Sequence, residues 1–357
     1  MKILLIRLRL IGDVVFTTPI PRALKRAYPG ASVSYLVEQE AAAVVATHAS
    51  IDELIVVRRE RGLRRVIDDL RLAARLRGAG YDLVLDFHGG PRSSWLTLST
   101  GARQRIGYAV AGRGWMYTQT VDRPRELRAR HSVVNQWDLL QAIPGWPEGA
   151  ADPRRDPVDM PVDPVVDAAV DRRLRDAGVT PAHDLIVVHV SAGNPFRRWP
   201  EPAFTELLIG VARKAAARRI IVSSGPSDRQ AAARITAAAR RALGRDAERI
   251  LDVGEFDLRE LRALIGRSRL FVGGDTGPLH IAATTTTPIV GLYGPTLPAR
   301  SAPWRDPAIP AVSLEVAGLA CRPCEQRVCE PGDFRCLTTL RPADVISAAE
   351  QALSWRG

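Results

Sequence analysis

Four apolar runs punctuate the first part of the chain: KILLIRL (2–8), SVSYLVE (32–38), ELIVV (53–57) and DLVLDF (82–87). They are largely apolar at successive positions rather than at alternate ones. That pattern predicts parallel strands covered by helices on both faces, because a strand with one wet face would alternate. Between the runs, apolar residues recur at helical spacing near 18–28, 39–47 and 62–78. From Asp184 the alternation resumes with LIVVHV (185–190), RIIVSS (219–224), ILDVG (250–254), LFVGG (270–274) and PIVGLYG (288–294), and a last helix covers 343–355. Pro144, Pro147, Pro153, Pro157, Pro161 and Pro164 crowd one acidic segment between the two arrays, which reads as an interdomain linker. Two βα arrays predict an α/β protein of two doubly wound, Rossmann-like domains facing each other. The expected limits are 1–160 and 161–342, with the last helix, 343–357, beyond.

Length agrees, since 357 residues exceed one ordinary core. No apolar run reaches the ~18 residues of a membrane span. Arg7, Arg9 and Asp13 interrupt the first run, making it a poor signal peptide and a good buried strand. A cytoplasmic protein is expected. The net charge of +11 rests on arginine, with lysine supplying only three of 50 basic residues. It implies an anionic partner: nucleic acid, a phosphorylated substrate or an acidic membrane face. Arginine's planar fork suits phosphate. A nucleic-acid binder would need stacking platforms along a basic stripe, and 6% aromatics with no binding module argue against it.

Small residues at strand ends mark the candidate chemistry. In VGGDTGPLHIAATT (272–285) a strand drops into Gly273, Gly274, Asp275, Thr276 and Gly277 before an alanine-rich helix. Glycines there let the backbone bend and approach a ligand, and unpaired amides at a helix start favour phosphate. Thr276 and His280 fall within reach of that position. The alternative is a capped turn with Asp275 bonding nearby amides. Asp-Thr-Gly is also the aspartic-protease triplet, but that chemistry needs two carboxylates, and one is present. In LIGDVVFTTP (10–19), Gly12 and Asp13 occupy the matching corner of the first array. Asp13 is either a base for a substrate hydroxyl or a helix N-cap.

In HVSAGNPFRRWPEPAF (189–204), Ser191 and Arg197 sit at a second small-residue corner and suggest a diphosphate clamp, with Arg198 expected to be solvated. GPSDRQ (225–230) either opens another helix with Asp228 as its cap or is a plain loop, and the plain loop is the better reading. Along 58–77, Leu63, Ile67, Leu70 and Ala74 mark one apolar helix face, and Arg61, Arg64 and Arg65 cluster on another side, either as a solvated face or as an anion site. Cys321, Cys324, Cys329 and Cys336 form a C-x2-C-x4-C-x6-C segment. They read as a structural metal staple, as free thiols or as disulfides.

The set GDVVFTTP, NPFRRWP, GPSDRQ and FVGGDTGPLHIAA…PIVGLYGPT, in this order, resembles the ADP-heptose:lipopolysaccharide heptosyltransferases of glycosyltransferase family nine. The resemblance covers nearly the whole chain. It implies a GT-B fold, with the active site between two Rossmann-like domains and the last helix crossing back onto the first. It implies inverting transfer from an ADP-sugar, with no cofactor or metal required. Asp13 would be the general base, and Ser191, Arg197, Asp275, Thr276, Gly277 and His280 would bind the donor. Arg197 stands where many members carry a lysine, which keeps the charge but changes its geometry. Gly12, Arg61, Arg64 and Arg65 would meet an acidic, lipid-linked lipopolysaccharide core at the cytoplasmic face of the inner membrane, with peripheral association and no nucleic acid. A transferase or nucleotide-sugar epimerase using another sugar is the rival within the same architecture.

Overall fold

The computed structural model describes residues 1–58, 62–122 and 129–355. The chain divides into two compact units, Met1–Pro161 and Val162–Gly357. The first carries strands β1 (Lys2–Ile6), β2 (Ser32–Glu38), β3 (Glu53–Val57), β4 (Leu83–Asp86), β5 (Gln104–Tyr108) and β6 (Gln119–Val121) in the order β3-β2-β1-β4-β5-β6. The second carries β7 (Asp184–His189), β8 (Arg218–Ser223), β9 (Ile250–Leu251), β10 (Leu270–Gly274), β11 (Ile289–Tyr293) and β12 (Ala311–Glu315) in the order β12-β11-β10-β7-β8-β9. All pairings are parallel. Each sheet therefore starts at its centre, winds outward and reverses. Ligands of such sheets bind beyond the carboxyl ends of the strands at the reversal, here β1/β4 and β7/β10.

The central strands are buried on both faces, as their continuous apolar runs require. Ile3 to Ile6 and Leu270 to Val272 are fully inaccessible. Strands β5, β6 and β12 escape the sequence pattern for a physical reason. They lie at or next to the sheet edges and are only partly covered, so QRIGY, QTV and AVSLE never form apolar runs.

The units divide inside the proline-rich segment, at Pro161, and the part before that point is packed rather than loose. Val158, Met160 and Asp156 are buried in the first unit, where Arg26 donates to Asp156 (2.6 Å) and to Glu148 (2.7 Å). The Trp137 indole donates to the Gly149 carbonyl (2.8 Å). The last helix, Pro342–Leu353, is part of the second unit's core through Val345, Ala348, Ala349, Ala352 and Leu353, with Leu207, Val211 and Val272. Arg218 of β8 holds Glu350 at 2.6 Å.

His189 ends β7 inside this core, 3.0 Å from the Ser223 hydroxyl. Burial pushes its imidazole down to about 4. The unfolded chain, titrating near 6.5, therefore binds more protons between these values, and stability falls as pH drops through that window. We expect a loss of about 2 kcal/mol from pH 7 to pH 5. Urea unfolding of wild type and His189→Gln at both pH values checks it. The substitution should flatten the pH dependence, and an unchanged slope would contradict the assignment.

Candidate active site

Beyond β10 the chain turns through Asp275 and Thr276 into a short helix, Gly277–Ala282, with Thr276 at its N-cap and Pro278 in its first turn. The Asp275 carboxylate is buried, yet it bonds side chains rather than the amides a capped turn would offer. The Thr296 hydroxyl donates to Oδ2 at 2.5 Å, the Arg197 Nη1 lies 3.4 Å from Oδ2, and the His280 Nε2 lies 3.4 Å from Oδ1. Burial alone would raise the pKa. The His280 contact, the Arg197 charge and the Thr296 hydroxyl outweigh it and hold the group at about 2, ionised at any working pH. Gly273 and Gly274 have no left-handed backbone, so the expected bend is not their role. Gly273 permits close packing instead: a Cβ there would stand 3.0 Å from the Phe271 ring and 3.3 Å from the His189 Cβ.

Arg197 ends a 3-10 turn, Pro195–Arg197, that Asn194 caps by accepting from the Phe196 amide (3.0 Å). Its guanidinium is gripped on two sides. Nη1 donates to the Asp275 carbonyl (2.8 Å) and Nε to the Gln326 amide oxygen (2.7 Å), which also accepts from Asn194 (3.0 Å). Nη2 has no partner among the described residues. Arg197 is thus an oriented cation with one open edge.

Ser191, Arg198 and Asp228 form a second cluster. The Ser191 hydroxyl donates to the Asp228 carboxylate, and Arg198 pairs with the same group at 3.0 Å. Arg198 is therefore not simply solvated. Asp228 stands at a helix start but its side chain caps nothing, because Ser191, Ser227 and Arg198 occupy it. The GPSDRQ segment is a structured corner rather than a plain loop. Next to it, beyond the ends of β8 and β9, opens a cavity of about 400 Å³ lined by Ser223, Ser224, Arg229, Asp252, Glu255 and Phe256, among others.

In the first unit, Asp13 is the third residue of the helix Ile11–Thr17, whose N-cap is Leu10 at φ 69°. It is therefore not the cap. Its carboxylate pairs with Arg7, a side chain buried beneath it that also donates to the Phe87 carbonyl. Part of Asp13 stays open, its side chain 29% accessible. Gly12 precedes it in the same turn. Arg64 and Arg65 are exposed on the helix Gly62–Ala79, and Arg65 lies 3.7 Å from Asp69. Arg61 lies outside the described residues.

The four cysteines are unpaired. Among the described residues no group of three or more His, Cys, Asp or Glu is arranged to hold a metal ion. Burial pushes the Cys336 thiol up. Arg322 ties this segment down instead, through the carbonyls of Thr296 (2.6 Å) and Val316 (2.8 Å) and through Glu315. The segment thereby carries Gln326 to Arg197. Arg7, Thr296 and Gln326 are the residues that reading the sequence missed. Two of them left a trace: Arg7, a charge inside an apolar run, and Thr296, the last residue of the PIVGLYGPT block.

Two doubly wound, Rossmann-like units with polar clusters at their strand ends are the architecture of the GT-B fold. The signature of glycosyltransferase family 9 (heptosyltransferase) matches residues 70–332, and the chain belongs to that family. It is 24% identical to lipopolysaccharide heptosyltransferase 3 of Escherichia coli over 351 residues, 97% of each chain. Among solved structures it resembles a family 9 glycosyl transferase of Veillonella parvula (TM-score 0.83, 22% identity, 99% of this chain and 97% of the other). It also resembles the E. coli ADP-heptose lipopolysaccharide heptosyltransferase II (TM-score 0.77, 18% identity, 99% and 98%).

Gln326 positions Arg197 without presenting a charge of its own. Gln326→Ala should lower kcat/KM for the glycosyl donor about three- to tenfold, with part of the loss in kcat. Steady-state kinetics read both parameters, and unaltered values would show that Arg197 is held without it.

Proposed function

We propose that this glycosyltransferase moves a heptose from ADP-heptose to a hydroxyl of an acidic, lipid-linked lipopolysaccharide core, with inversion at the anomeric carbon. The observation that carries the reading is Arg197, fixed by a buried anion and by the carbonyl of Asp275, the residue that precedes Thr276 and Gly277, and presenting one unbonded guanidinium edge. A diphosphate meets both needs, because it supplies two negative groups to a cation and to free N–H donors. The Gly277–Ala282 helix is only six residues long, so the guanidinium rather than a helix dipole would carry most of the charge growing on the departing ADP. The cavity beyond β8 and β9 suits the nucleoside, with Asp252 and Glu255 as acceptors for ribose hydroxyls.

Asp13 is assigned as the base. It would take the proton from the acceptor hydroxyl as that oxygen attacks C1 from the face opposite ADP. The new C–O bond forms while the C1–O bond to diphosphate breaks, and the electron pair leaves with ADP. Arg7 is a positioning residue that aims the carboxylate from below. A single displacement needs no second, nucleophilic carboxylate. Arg64 and Arg65 would face the phosphorylated acceptor, and the protein would work peripherally at the membrane that holds it. No helix among the described residues is long and apolar enough to cross that membrane.

The test is transfer from ADP-heptose to a heptose-free core acceptor, with the product's anomeric configuration read by NMR and other nucleotide sugars run alongside. Asp13→Ala should lower turnover by about 10² to 10⁴ while leaving ADP affinity within about twofold. Near-normal turnover in that variant, or a retained configuration in the product, would sink the assignment.

A further inference from the structure

The helix Gly62–Ala79 has two apolar faces, and only one of them is covered. Leu72 and Leu76 point into the first unit's core, packed with Leu4, Leu36 and Tyr81. The face expected from the sequence, Leu63, Ile67, Leu70 and Ala74, is turned the other way. Leu63 is 82% exposed, Val66 54%, Ile67 47% and Leu70 57%. At 3.6 residues per turn these side chains form one continuous stripe, roughly opposite the buried pair. Scattered exposed leucines need no explanation, but four large apolar side chains at i, i+3, i+4 and i+7 on an open face do.

The borders of the stripe name its partner. Arg64 and Arg71 lie along one edge by the same periodicity. Arg71 is 78% exposed and 3.5 Å from Asp68, and Arg64 has no acidic partner among the described residues. Arg58 is exposed just before the helix. The chain as a whole carries +11. An apolar stripe beside guanidinium groups is the signature of a helix lying in a bilayer interface, apolar face down, with its cations among anionic headgroups. A protein partner with a complementary groove would meet the same leucines but give the arginines no general reason to flank them.

We infer that the exposed face of Gly62–Ala79 is a docking surface for an anionic phospholipid bilayer. This deepens the proposed reading, which places the acceptor in a membrane, and it rests on that reading for its biological sense. The physical claim stands apart from it. Leu63, Val66, Ile67 and Leu70 enter the acyl–headgroup boundary while Arg64 and Arg71 neutralise lipid phosphates. Leu72 and Leu76 keep the helix attached to the protein.

The experiment uses the full chain and extruded vesicles of phosphatidylethanolamine and phosphatidylglycerol, with no saccharide acceptor, in co-sedimentation against pure phosphatidylcholine vesicles. Wild type should partition at least about tenfold more strongly onto the anionic vesicles at low salt, with the difference shrinking as salt screens the headgroups. Ile67→Gln combined with Leu70→Gln should cut that partitioning at least about tenfold, since two buried side chains are withdrawn. Both positions are exposed, so the Tm and transfer to a soluble, delipidated acceptor should not change. In a second variant, Leu63→Trp, emission should shift to the blue when anionic vesicles are added.

Wild type that ignores the vesicles would overturn the inference, as would equal binding to both lipid types or a double variant that binds as well as wild type. So would sedimentation velocity showing a dimer that the double variant abolishes, which would assign the stripe to a second copy of the chain. If vesicles bind as expected but wild type transfers no sugar, the functional reading fails and the docking surface stands. If transfer proceeds and vesicles are ignored, the reverse holds.

Discussion

The Asp275 carboxylate is the constraint on which the candidate donor site is built. A buried anion is tolerated only if enough partners converge on it, and an uncompensated one costs several kcal/mol. Thr296, His280 and Arg197 converge from the loop after β11, the short helix after β10 and the turn after β7. Three separately encoded segments thus meet at one point in the second unit. Arg197 gains an orientation it would not hold on a solvated arm. Because the carboxylate stays ionised down to a pH of about 2, the arrangement is indifferent to ordinary changes in acidity.

The first unit shows a smaller version of the same logic. Arg7 projects from the polypeptide just past β1, beneath the helix that carries Asp13, and joins that carboxylate to the Phe87 carbonyl. In one unit a buried anion orients a cation, and in the other a buried cation orients an anion. The proposed transfer asks for that pair of tools: a base for the entering oxygen and a cation for the leaving phosphate.

Much of this was legible in the chain. The nine apolar runs all became strands, seven of them interior to their sheets, where composition cannot be hidden, and β3 and β9 at edges. The polar corners at 12–13, 191–197 and 275–280 were legible too, since small residues between a strand and a helix are rarely neutral choices. Partners from distant segments were not. Nothing in the neighbourhood of Thr296 or Gln326 announces Asp275 or Arg197, because those contacts depend on how loops close in three dimensions. Direction was also hidden. The periodicity of Leu63, Ile67 and Leu70 gives an apolar face, but only packing shows that Leu72 and Leu76 face the core and the longer stripe faces out. In the cysteine segment the contacts that reach the rest of the second unit are made by Arg322 and Gln326, which the spacing of the thiols did not announce.

The most direct test of the central claim is a calorimetric comparison of ADP with adenosine, on wild type and on Asp275→Asn, below the unfolding transition of both. The ratio of the two affinities isolates the phosphates and cancels any general change in the nucleoside pocket. The account predicts ADP at least about 100-fold tighter than adenosine for wild type, from charge-assisted bonds to an oriented guanidinium, and a ratio falling about tenfold or more in the variant. An undiminished ratio in Asp275→Asn would mean that the buried carboxylate does not organise phosphate recognition.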